Sequence, residues 1–130
     1  MTYDAENKRV RKWQGGNPIT YLYDIFGNVI TIYGTASDIE QNYVWANGEP
    51  RAKVVPLDDP AADLYYYFHT DHLGTPYVLT NSSKVVDWKI STDPFGETVT
   101  EQNGDDNNFR FPGQYADRES GLDYNWHRYY

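Results

Sequence analysis

The chain has 130 residues, a formal net charge of -8 and no cysteine. The acidity argues against a sequence-independent phosphate contact, and the missing thiols exclude disulfides, thiolate metal sites and cysteine nucleophiles. No apolar stretch approaches the 18 residues of a membrane-spanning helix, and Met1-Thr2-Tyr3-Asp4 lacks the features of a secretory signal.

Along the chain one kind of turn recurs. Its copies run from Asp4 to Asn7, Asp24 to Gly27, Trp45 to Gly48, Asp71 to Gly74, Asp93 to Gly96 and Asp117 to Gly121, with starts 20, 21, 26, 22 and 24 residues apart. A leading Asp can accept hydrogen bonds from the backbone two residues on. A closing Gly or Asn tolerates the positive φ of a tight hairpin. Asn47-Gly48 is the strongest turn dipeptide, and the missing Asp at position 45 makes that copy degenerate.

The first turn leads into the cluster Lys8, Arg9, Arg11 and Lys12, which is expected to be a solvated strand or loop and not a nucleic-acid site. Strands are predicted over 20–23, 29–33, 64–68, 77–80 and 84–90, all rich in β-branched and aromatic residues. The proline-bounded stretch 56–63 reads as a polar loop, and 101–108 as a mobile hairpin tip. Seven prolines fall near turns or run starts, and no window carries an apolar stripe at helical spacing. The fold class expected is all-β, a curved antiparallel sheet of successive β-hairpins. With 13 Tyr, 4 Trp and 5 Phe, packing must rely on rings stacked across neighbouring strands.

Several chemistries compete for these residues. His69 and His72 flank Asp71, but Leu73-Gly74 makes this a turn, and His127 is the one further imidazole in the sequence, so a structural role is favoured over a metal. A calcium loop from Asp105 would need a Gly and a Glu where Arg110 and Ala116 stand. A hydrolase could draw on Asp71, Asp93 and Asp117, yet each occupies the same slot of its own repeat, where turn geometry already accounts for it. Exposed Tyr and Trp beside Asp, Asn and Gln leave a carbohydrate-binding surface as the alternative. Neither a cofactor nor a metal is expected, and the residues singled out are structural: Asp24, Gly27, Asn47, Gly48, Asp71, Gly74, Asp93, Gly96, Asp117 and Gly121.

Four ordered blocks, 65–76, 93–97, 109–115 and 119–130, closely resemble the C-terminal core of bacterial Rhs proteins, the YD-repeat family. Tyr3-Asp4 and Tyr23-Asp24 extend the likeness loosely into the N-terminal half. The resemblance divides the chain into degenerate YD repeats over 1–63 and an RHS repeat-associated core over 64–130, together one structural unit of a larger shell. It implies a non-catalytic wall that encapsulates or presents a C-terminal toxin, with the rest of the shell and the cargo as partners. The parent is then expected to be secreted or on the cell surface, delivered by contact-dependent routes such as type VI secretion and used in competition between bacteria. The family's self-cleavage element and toxin follow the Arg-Tyr-Tyr run, which here is 128–130, so neither activity is assigned to any position. About six repeats cannot close a cage, and self-association through open strand edges is expected.

Overall fold

The computed structural model describes residues 1–35, 38–93, 96–102, 107–110, 113–117, 120–125 and 128–129. For residues 92, 93, 96–102, 128 and 129 only the backbone is described. Ten strands form one sheet in simple chain order: β1 (Thr2–Tyr3), β2 (Arg9–Gln14), β3 (Asn17–Tyr23), β4 (Val29–Tyr33), β5 (Ile39–Ala46), β6 (Glu49–Val55), β7 (Leu64–Thr70), β8 (Pro76–Asn81), β9 (Val86–Asp93) and β10 (Gly96–Gln102). Every neighbouring pair is antiparallel. A second sheet holds β11 (Tyr115–Asp117), β12 (Leu122–Asn125) and β13 (Arg128–Tyr129), and Pro60–Ala62 form one 3-10 turn between β6 and β7. The chain is all-β, a curved antiparallel sheet of successive hairpins.

In such a meander the turns alternate between the two ends of the strands. All five of the large sheet's recurring turns, at Asp4, Asp24, Asn47-Gly48, Asp71 and the Asp93–Gly96 closure, therefore lie along one edge. The period in the low twenties is the length of two strands plus two turns. The opposite edge carries the Gly15-Gly16 turn, the Gly34–Asp38 turn, the 56–63 loop and the Asn81–Lys84 turn. Lys84, expected to begin a strand, instead adopts φ 63° and closes that last turn, and the strand starts at Val86.

Curvature has an identifiable source. The register skips one residue at Val10, Ile30, Glu40, Arg51, Tyr77, Asp87 and Thr100. The first six lie six places after a turn start, at 4, 24, 34, 45, 71 and 81, and Thr100 lies seven after Asp93. A bulge bends its strand and increases the local twist, so a bulge beside turn after turn curls the whole sheet.

The inner face of that curl is aromatic. Tyr21, Ile32, Tyr43, Tyr66, Phe68, Leu79, Trp88 and Ile90 are buried there together with Phe109, Tyr115 and Tyr124 of the C-terminal segment. Phe109 is the centre of this packing, with ring centroids 4.8 Å from Tyr43, 5.2 Å from Trp45, 5.8 Å from Phe68 and 5.9 Å from Tyr115. Edge-to-face geometry lets the positive rim of one ring meet the negative face of the next.

Candidate functional site

The Asp turns share a single geometry. At Asp24, the carboxylate Oδ1 accepts from the N–H of Phe26 and of Asn28 at 2.8 and 2.9 Å, while the Gly27 N–H donates to the Asp24 carbonyl at 3.1 Å. Asp71 repeats the pattern with Leu73, Thr75 and Gly74, and Asp4 with Glu6, Lys8 and Asn7. Asn81, which sequence inspection did not single out, makes the same set with Ser83, Val85 and Lys84. The closing residues are left-handed: φ is 84° at Gly27 and 82° at Gly74. Burial opposes ionisation of Asp24, but hydrogen bonds from Asn28 and Phe26 outweigh it and hold the carboxyl below its ordinary range. These carboxylates are engaged by their own backbone and do not converge on a common pocket.

Asn47 and Gly48 form a two-residue turn with φ of 54° and 75°, linking Ala46 to Glu49. The Asp93 and Gly96 backbones pair at the mouth of their hairpin, and the Asp93 side chain lies outside the described residues. Gly121 takes φ 68° and donates to the Asp117 carbonyl at 2.9 Å.

Asp117 corrects the expectation that its carboxylate closes a turn. Its carbonyl does that work, while the carboxylate reaches back to β2, where Arg9 Nη1 and Nη2 donate to its two oxygens, the latter at 2.9 Å, and Lys12 Nζ to one of them at 3.2 Å. All three side chains are at least 95% buried. The Arg9 guanidinium lies 4.3 Å from the centroid of Tyr124, whose hydroxyl accepts the Arg9 N–H at 2.7 Å, and the Tyr23 hydroxyl donates to the Arg9 carbonyl at 2.7 Å. Burial pushes the phenols of Tyr23 and Tyr115 well above their ordinary range, so both stay protonated, Tyr23 donating to the Arg9 carbonyl and Tyr115 accepting from Asn108 Nδ2 at 3.2 Å.

Arg9 and Lys12 are thus not solvated. Strict alternation puts residues three apart on opposite faces of a strand, but the bulge at Val10 shifts the phase and turns both inward. Lys53 and Arg110 are buried as well, the former over the Tyr66 ring and the latter over Trp88. Among the described residues, the buried carboxylates are Asp87 and Asp117. An acidic molecule therefore turns a basic, aromatic wall inward. Sequence inspection had the composition for such a wall but no signal for which cations face it.

Between the Asp-turn edge and the C-terminal segment lies a cleft of about 280 Å³, lined in part by Phe26, Trp45, Pro50, Pro76, Gln114 and Asn125. Trp45 is held there by its Nε1–H, which donates to the Val29 carbonyl at 2.7 Å. His69 Nε2 pairs with Thr80 Oγ1 at 3.0 Å across strands, and His72 is exposed on its turn. No group of three or more His, Asp or Glu among the described residues is arranged to hold a metal. His127, Asp105 and Asp106 lie outside the described residues.

The repeated hairpins, their phased bulges and the aromatic inner face define a β-repeat wall. Residues 66–102 match the family described as RHS protein. Similar chains include the toxin protein Tse5 of Pseudomonas aeruginosa, 44% identical over 86 residues, or 65% of this chain and 6% of that protein. The double-stranded DNA deaminase toxin A of Burkholderia cenocepacia is 36% identical over 70 residues, covering 50% of this chain and 5% of that one. The tRNA3(Ser)-specific nuclease WapA of Bacillus spizizenii is 28% identical over 132 residues, covering 98% and 5%. The partial RHS match and these relatives support a family-level likeness to the RHS, or YD-repeat, cores of polymorphic toxins. Its described residues form a shell-type wall, and the chain spans only 5–6% of the length of these three relatives.

Proposed function

We propose that this module is a section of wall in a larger Rhs shell that encloses a toxin domain and shields its producer until delivery outside the cell. The observation that carries this is the ten-strand meander with a bulge beside turn after turn, a design that curves a sheet around an interior. Among the described residues, β1 pairs only with β2 and β10 only with β9, which suits continuation of the sheet on both sides by further repeats. The relatives support the link to toxins: two have toxin in their names and a third is named a nuclease.

The test is protease protection of the cargo in the full-length parent protein. The cargo should resist digestion while the wall is intact and become cleavable when Tyr66→Pro interrupts the sheet at β7. A cargo digested equally in both would sink the proposal. A carbohydrate-binding role is the second reading, favoured by the cleft that sets the Phe26 and Trp45 rings beside the amides of Gln114 and Asn125. A glycan array with Trp45→Ala as control decides it.

A further inference from the structure

The C-terminal segment is bound to the large sheet in an unusual way. Its described residues between 107 and 125 form a small antiparallel unit of their own: the Phe109 and Tyr115 backbones bridge, the Ala116 N–H donates to the Asn108 carbonyl at 2.7 Å, and β11 pairs with β12. Among its described residues, Arg110, Tyr115 and Tyr124 meet the large sheet at Trp88, Tyr21 and Arg9, and Phe109 and Asp117 enter it most deeply. Phe109 enters the ring cluster of Tyr43, Trp45 and Phe68. Asp117 enters the basic wall at Arg9 and Lys12, more than 100 positions away in sequence, with Tyr124 stacked on Arg9 beside it.

We propose that this unit is a detachable cover, latched by Asp117, and that the wall beneath it is a docking groove for acidic polypeptide segments bearing an aromatic anchor. The cover itself displays the recognition chemistry. A carboxylate bridges a guanidinium and an ammonium, and a ring fills an aromatic cage. Charge complementarity specifies the occupant, because the wall's buried Arg9 and Lys12 both meet the carboxylate of the cover's Asp117. Arg can pair with a carboxylate through two parallel N–H bonds, so a segment lacking the carboxylate loses geometry as well as charge. Separability follows from the local pairing: the cover keeps its own backbone hydrogen bonds when it lifts, as locally cooperative units do. The groove is filled in cis in the resting chain, and an acidic, aromatic segment presented in trans displaces or replaces the cover.

The experiment uses the full chain and a fluorescent synthetic peptide of residues 107–125 as the probe. Asp117→Asn should raise amide exchange in 115–117 and 122–125 by at least tenfold while leaving the amides of β6 to β8 unchanged. The peptide should then bind Asp117→Asn at least tenfold more tightly than it binds the wild-type chain, weaken as salt is raised, and lose at least tenfold in affinity when it carries Asp117→Asn itself. Equal binding by both peptides, or no binding to a variant whose β6 to β8 amides stay protected, overturns the groove. Uniformly faster exchange over the whole molecule, or global unfolding of both Asp117→Asn and the milder Lys12→Gln, overturns the latch, because the cover would then be inseparable from the wall.

Discussion

Asp71 and Asp117 open equivalent sequence patterns, an aspartate with a glycine three or four residues later, yet they do different physical work. Asp71 is partly exposed, and among the described residues its carboxylate bonds to its own turn, two and four residues on. Asp117 is buried and joins elements more than 100 residues apart. The difference teaches that the repeat motif specifies a backbone path and leaves the carboxylate free for another use wherever the path's own carbonyl suffices to close the turn, as the Asp117 carbonyl does with Ser120 and Gly121.

The largest effect should come from breaking the buried end of the comparison. Asp117→Ala strands two buried cations, and removing one partner of a buried pair costs roughly 3–5 kcal/mol. Urea unfolding should show this as a drop in midpoint, and a loss below about 1 kcal/mol would mean the cluster is solvated. Phe109→Ala should cost about 3 kcal/mol, near the lower end for a buried phenylalanine, by opening a cavity among four rings. Gly74→Ala comes next at about 1–2 kcal/mol: φ of 82° strains any side chain, and a Cβ there would stand 3.3 Å from Glu49 Cγ.

The turn aspartates should matter less and tolerate a specific exchange. Asp71→Ala should lose about 1 kcal/mol with its two accepted bonds. Asp71→Asn should stay within about 0.5 kcal/mol of wild type, because Asn81 already makes the identical set through an amide oxygen. Asp117→Asn, facing Arg9 and Lys12, should show no such tolerance.

pH separates the two regions further. Tyr23 and Tyr115 hold their protons more tightly when folded than when unfolded, so their contribution is complete below the unfolded phenol value near 10 and is lost as pH rises beyond it. Unfolding followed by fluorescence should therefore grow easier above about pH 10, and Tyr23→Phe should lessen the slope. Asp24 has the opposite sign. Its folded value is depressed, so its contribution is present above the unfolded value near 3.9 and fades as pH falls through the folded one. Asp24→Ala should flatten the acid limb below about pH 4, the smallest change of the set.

Hairpins were legible in the sequence because turn chemistry is local. The same residues that accept or tolerate positive φ stand next to the bonds they make, so Asp24, Gly27, Asp71 and Gly74 could be picked out with no knowledge of partners. The second edge was harder to see. Gly15-Gly16 falls outside the Asp pattern, and Asn81 hides in a Ser-Ser-Lys loop with Lys84 at positive φ, an uncommon residue there. The wall's cations are not legible in the sequence, because a bulge, which no period-two pattern reveals, changes which way Arg9 and Lys12 point.

The sequence by itself determined an all-β chain of hairpins with a two-strand period, an aromatic core and the Rhs family likeness. These follow from interactions spanning a few residues and from composition. Only the tertiary structure decided that Asp117 crosses the molecule to Arg9 and Lys12, that Phe109 centres the ring cluster, and that a basic face hides inside an acidic protein. Those contacts join positions 41 to 108 residues apart, and long-range pairing depends on the phase of every intervening bulge and turn, which is set when the sheet curls and the C-terminal unit closes over it.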